Sequence, residues 1–93
     1  MGTENHPFGG ESLPQVNFST FVLSLASSTL VQLGDVPNPE TNSLTPNMAM
    51  AEHSIAILEM LQQKTIGNLN DEETRLINGV LYEVHMKYLV KKQ

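Results

Sequence analysis

From Ser12 through Gly34 the chain carries no charged residue, and most of that stretch reads as one helix over about residues 18–33. Phe18, Phe21, Val22, Leu25, Thr29 and Leu33 follow helical spacing, while Leu23, Leu30 and Val31 widen the apolar surface beyond one stripe. Ser24, Ser27 and Ser28 form a strip of small side chains between them. A helix apolar on most sides must be covered on most sides. Lipid is not the expected cover. A spanning helix needs about 20 mostly apolar residues, and this one is shorter and rich in Ser and Thr. The sequence therefore predicts a buried helix, with no membrane insertion.

The remaining segments limit what can cover it. Residues 1–15 are Gly, Pro, Asn, Ser and Glu with little apolar content, and read as a disordered polar tail. Asn17 or Ser19 can cap the first helix, and Gly34 can stop it in the left-handed conformation. Residues 35–47 hold Pro37, Pro39 and Pro46 among Asn, Asp and Ser, which forbids a helix there and suits a loop long enough to cross from one helix end to the other. Asn47 or Thr45 can cap a second helix, about 48–66, with Ala51, Ile55, Leu58 and Leu61 or Gln62 on one face and Gly67 at its end. Asn70 caps a third, about 71–91, with Glu73 at the capping-box position. Asp71, Glu72 and Glu73 at its start and Lys87, Lys91 and Lys92 near its end have the signs that the helix dipole favours. Its apolar stripe reads Leu76, Ile77, Val80, Leu81, Val84, Tyr88 and Leu89. The short turn at residues 67–70 predicts an antiparallel pair of helices.

Composition narrows the chemistry. With 5 basic and 10 acidic residues the formal net charge is −5, the wrong sign for a protein that tracks nucleic-acid phosphates. Zero Cys removes disulfides, thiolate metal sites and thiol nucleophiles. The first residues have neither a basic nor an apolar leader region. His6 stands where a myristoylation start wants Ser or Thr, and the expected compartment is the cytoplasm. Asn17-Phe18-Ser19 fits a glycosylation sequon by chance.

Several segments in order carry a family resemblance. They are Val16-Asn17-Phe18-Ser19-Thr20-Phe21 through Ser28, Gln32-Leu33-Gly34-Asp35-Val36-Pro37-Asn38-Pro39, Ile57-Leu58-Glu59-Met60-Leu61 with Lys64-Thr65, Gly67-Asn68-Leu69, and Leu81-Tyr82 through Tyr88. Together, over about residues 14–90, they resemble a bacterial domain-of-unknown-function family, number 1844, of small helical proteins. The resemblance implies a short helical domain behind a variable polar tail and supplies no activity, cofactor or catalytic residue. The chain departs from the family pattern over Thr45 to His53.

No constellation of reactive residues stands out. His6 lies in the tail. His53 has Ala49 and Ile57 one turn away, and His85 has Leu81 and Leu89, so no helical metal chelate forms. Glu52 and Glu59 could flank His53. Asp71-Glu72-Glu73 is explained by helix-start chemistry, and Glu83 with Lys87 is an ordinary one-turn pair. The serines of the first helix have no nucleophile-elbow context, and Gly9-Gly10 precedes no phosphate-loop Lys. We expect no catalytic, cofactor-binding or metal residues. Met48, Met50, Met60 and Met86 read as flexible gap fillers or as an adaptable binding groove.

The expected architecture is therefore all-α. Residues 16–93 form a single three-helix domain, and the surplus apolar surface of the first helix is covered by a second copy, most simply in a two-fold dimer. Phe18, Phe21, Val22, Leu25 and Leu30 are the expected interface residues, with Ser24 and Ser28 at the close crossing. Truncating a buried Phe21 to Ala would cost about 3–5 kcal/mol. The expected role is a non-enzymatic oligomerisation and protein-interaction module. The alternative is a carrier of a small apolar ligand between the first helix and the Met-rich second.

Overall fold

The computed structural model describes Leu13 and residues 15–93. The polar tail expected over residues 1–15, with His6 and Gly9-Gly10, lies almost wholly outside the described residues. The fold is all-α, with three helices: α1 (Phe18–Gln32), α2 (Met48–Lys64) and α3 (Asp71–Lys92). Outside them, Asn38 and Ser43 form an isolated antiparallel bridge within the loop.

Each helix start is fixed by an Asn. Asn17 Oδ1 accepts from the Thr20 N–H at 2.8 Å, and the Thr20 hydroxyl oxygen in turn accepts from the Asn17 N–H. Asn47 Oδ1 accepts from the Met50 N–H. Asn70 and Glu73 form the predicted reciprocal box, at 2.8 and 2.9 Å. These bonds satisfy donors that a helix start leaves unpaired. Between the two candidates offered at each of the first two starts, the structure selects Asn17 and Asn47.

The end of α1 is a Schellman stop. The Gly34 N–H donates to Val31 O and the Asp35 N–H to Leu30 O, with Gly34 at φ 77°. A Cβ at Gly34 would also stand 3.0 Å from Pro46 Cβ. The chain then makes an excursion and returns, because the Asn47 N–H donates to Gln32 O at 2.7 Å. This corrects the expectation of a crossing loop: α2 begins beside the end of α1. The second helix stops at Lys64, two residues earlier than expected, where the Thr65 hydroxyl donates back to Leu61 O.

Val22, Leu33, Ala51, Ile55, Leu58, Ile77, Val80, Leu81 and Val84 form the buried core, and each helix packs against the other two. Two polar side chains are buried with them and both are satisfied. The Thr29 hydroxyl donates to Leu25 O, and the Ser54 hydroxyl to Gln32 Oε1, each at 2.7 Å. Of the stripe expected on α3, Leu89 is a correction. It is exposed, because the inward face has rotated past it after Tyr88.

Candidate interaction surface

The exposed side of α1 follows from its burial pattern. Val22, Thr29 and the capping Leu33 point into the core. Phe18, Leu25, Ala26 and Leu30 are half-buried along its flanks. Phe21, Leu23, Ser24, Ser27 and Ser28 are exposed, so the outward side is an uncharged strip of serines with Phe21 along one edge and Leu23, about 160° round the helix, along the other.

The seven residues expected at an interface therefore divide. Phe21, Ser24 and Ser28 lie on the outer face. Phe18, Leu25 and Leu30 border it. Val22 is 0% exposed and is spent on the chain's own core. Successive helix positions lie about 100° apart, so Phe21 and Val22 cannot share a face. Ser27 also belongs to the outer face, where the sequence places it in the small-residue strip, and Leu23 lies along the edge away from Phe21, legible only as part of the wider apolar surface. Phe21 is 52% exposed within one chain. The 3–5 kcal/mol cost of truncating it therefore applies only where something else covers it.

Toward its C-terminal end this face deepens into an open groove of about 670 Å³. Ser27, Ser28 and Val31 form one wall, Met50 of α2 another, and Asn38 and Pro39 of the loop a third. The loop holds its shape through its own bonds. Asn38 Oδ1 accepts from the Glu40 N–H at 2.9 Å, and the Asn38 N–H donates to Ser43 O. Asn42 sits at φ 57°, a conformation Asn tolerates better than most residues. A second concavity, about 290 Å³, lies at the α2–α3 turn beside Ile66, Leu69 and Ile77.

The ionisable residues of α2 turn elsewhere. Glu59 Oε2 lies 2.7 Å from His85 Nε2, the Tyr88 hydroxyl donates to Glu52 Oε2 at 3.0 Å, and Gln62 donates to Asn78 Oδ1 at 2.7 Å. Numbers fall along α2 as they rise along α3, so these two helices run antiparallel along this seam. The two glutamates face α3 rather than flanking His53. The hydrogen bond to Glu52 holds the Tyr88 phenol above its ordinary pKa, helped by partial desolvation and by the carboxylate charge. Lys87 bridges to Asp35 at 3.2 Å, tying α3 to the end of α1. These contacts join residues 26 to 52 positions apart in sequence, or 16 for Gln62–Asn78, so local spacing gave no sign of them.

This polar seam consists of pairs on partly exposed surfaces. Among the described residues no three His, Asp or Glu side chains cluster as metal ligands, and no helix is long and apolar enough to cross a membrane. The surface best suited to bind something is the uncharged outer face of α1 with its adjoining groove.

A family model described as a domain of unknown function, DUF1844, matches residues 15–90. No curated protein and no solved structure matches the chain.

Proposed function

For this chain, which belongs to the DUF1844 family, we propose a non-enzymatic role as a small self-associating interaction module whose contact surface is the outer face of α1. One observation carries the reading: Phe21 stands half-exposed beside Ser24 and Ser28 on a helix side with no charged residue to oppose association, and Leu23 stands half-exposed along its opposite edge. A second copy related by a two-fold axis would bring the same face to both sides of the contact. Ser24 and Ser28 would let the two backbones approach closely, and Phe21 would be the aromatic anchor.

A helix of 15 residues is only about 22 Å long. A stable interface removes about 800 Å² from each partner, so the groove wall at Val31 and Met50 would have to join the contact. The test is sedimentation equilibrium of the intact protein and of Phe21→Glu. The half-exposed position tolerates the charge in a single chain, so helical content should be kept while the assembled mass falls. An unchanged assembled mass in Phe21→Glu would overturn the placement of the interface.

A second reading rests on the groove itself, where Val31 and Met50 offer an apolar floor for a small apolar ligand. Native mass spectrometry separates the two readings. A ligand carrier shows a co-purifying small molecule that Met50→Lys abolishes, and a self-associating module shows integer multiples of the bare chain.

A further inference from the structure

The outer side of α1 carries both a knob and a hole. Phe21 stands half-exposed toward the start of the helix, and the open groove lined by Val31 and Met50 lies toward its end. Phe21 and Val31 are ten residues apart, about 15 Å along the axis. At about 100° per residue they lie about 40° to either side of the line that runs midway between Ser24 and Ser28. The two pairs, Phe21 with Val31 and Ser24 with Ser28, are also centred on the same height, that of Ala26.

A two-fold axis through that point, perpendicular to the helix, exchanges the members of each pair. Ser24 of one copy then meets Ser28 of the other, and Phe21 meets Val31, each contact made twice. An isologous interface requires a surface complementary to itself in this way. Two parallel copies in register would instead leave each groove about 15 Å along the helix from the nearest Phe21.

We infer that the groove is a socket for Phe21 of a second copy, so that two chains pair antiparallel along α1 with each Phe21 seated beside Val31 and Met50 of the other. The inference rests on the α1 contact proposed above and adds its register and the occupant of the groove. Area favours it. A strip about 22 Å long and about 10 Å wide, all that α1 alone offers, falls far short of about 800 Å² per partner. Seating two aromatic side chains extends the contact over both grooves. Charge favours it as well. The one charge among the lining residues is Glu40. In this pairing the groove meets the start of α1 of the other copy, whose first turn holds no acidic residue and whose N-terminal N–H groups favour a carboxylate.

The test is complementation between two variants, read by sedimentation equilibrium. Phe21→Lys removes the knob and Val31→Glu closes the socket. Alone, each should sediment as one chain of 10.3 kDa, because both copies of the contact are lost. Mixed, they should recover the assembled mass. One site keeps a native Phe21 in a native groove, and the other sets the introduced ammonium against the introduced carboxylate. Val31 is half-buried, so Met50→Glu, at a half-exposed position of the same groove, repeats the test, with helical circular dichroism as the check on folding. If Phe21→Lys splits the native assembly but the folded groove variants stay assembled, or if the mixture recovers nothing, the socket is overturned and the α1 contact stands. A native chain that sediments as one copy, or an assembled mass that persists in Phe21→Lys, overturns both. A small molecule that co-purifies with the native chain in native mass spectrometry and is lost in Met50→Glu gives the groove to a ligand and overturns the socket.

Discussion

The two seams that join α2 to its neighbours are built differently. Where α1 meets α2, the chain is locked by backbone geometry: the Schellman stop, Gly34 against Pro46, and the Asn47 N–H on Gln32 O. Among the described residues one side-chain bond crosses there, from Ser54 to Gln32, and neither group titrates. Where α2 meets α3, the turn is looser. Gly67 has φ 88° but open space around it. A row of side chains does the joining instead, with Glu59 to His85 and Glu52 to Tyr88 among them. One seam depends on shape, the other also on ionisable groups. That contrast explains why α1 can present an uncharged outer face: its attachment to the bundle needs few charges.

The largest effect should come from the core that both seams share. Leu58 is fully buried between the helices, and Leu58→Ala should cost about 2–5 kcal/mol in denaturant unfolding. Next is a comparison of the two left-handed glycines, Gly34 at the stop of α1 and Gly67 in the turn after α2. Gly34→Ala and Gly67→Ala both force a side chain into the left-handed region, at about 1–2 kcal/mol each. Gly34→Ala should cost more than Gly67→Ala, because only its Cβ meets Pro46. Equal losses would remove the claim that the α1–α2 seam is set by close backbone approach. Asn70→Ala, which removes the side-chain acceptor for the Glu73 N–H and leaves the backbone bond from residue 70 to Glu73 Oε1, should cost about 1 kcal/mol in the same assay.

The smallest effect is specific to the α2–α3 seam. The raised pKa of Tyr88 means that its contribution is fully present below the ordinary tyrosine pKa of about 10 and is lost as pH rises through the folded-state value. The stability advantage of the native chain over Tyr88→Phe should therefore hold at neutral pH and shrink in alkaline solution. A difference constant from pH 7 to above 11 would show that the bond to Glu52 is not the source.

Helix existence and helix ends were legible in the sequence because they depend on local chemistry. Asn17, Asn47 and Asn70 accept bonds from N–H groups three residues on, and Gly34 needs only its own backbone freedom. Face assignment was harder. In a three-helix bundle each helix meets two neighbours, and a rotation of one residue moves a side chain by about 100°. That is why Val22 went to the core while Phe21 stayed outside, and why Leu89 left the inner stripe. The pairs His85–Glu59 and Tyr88–Glu52 depend on the register between two helices, which spacing within either one does not encode. The return of loop 35–47 depends on one long-range backbone bond, Asn47 to Gln32, and prolines alone do not specify it.

Self-association is the central claim, and solution mass by light scattering on a size-exclusion column, at two protein concentrations, tests it most directly. One chain is 10.3 kDa. The expected result is a mass at an integer multiple of that value, two or more. A mass of one chain at both concentrations would contradict it, and the outer face of α1 would then have no role in pairing copies of this protein.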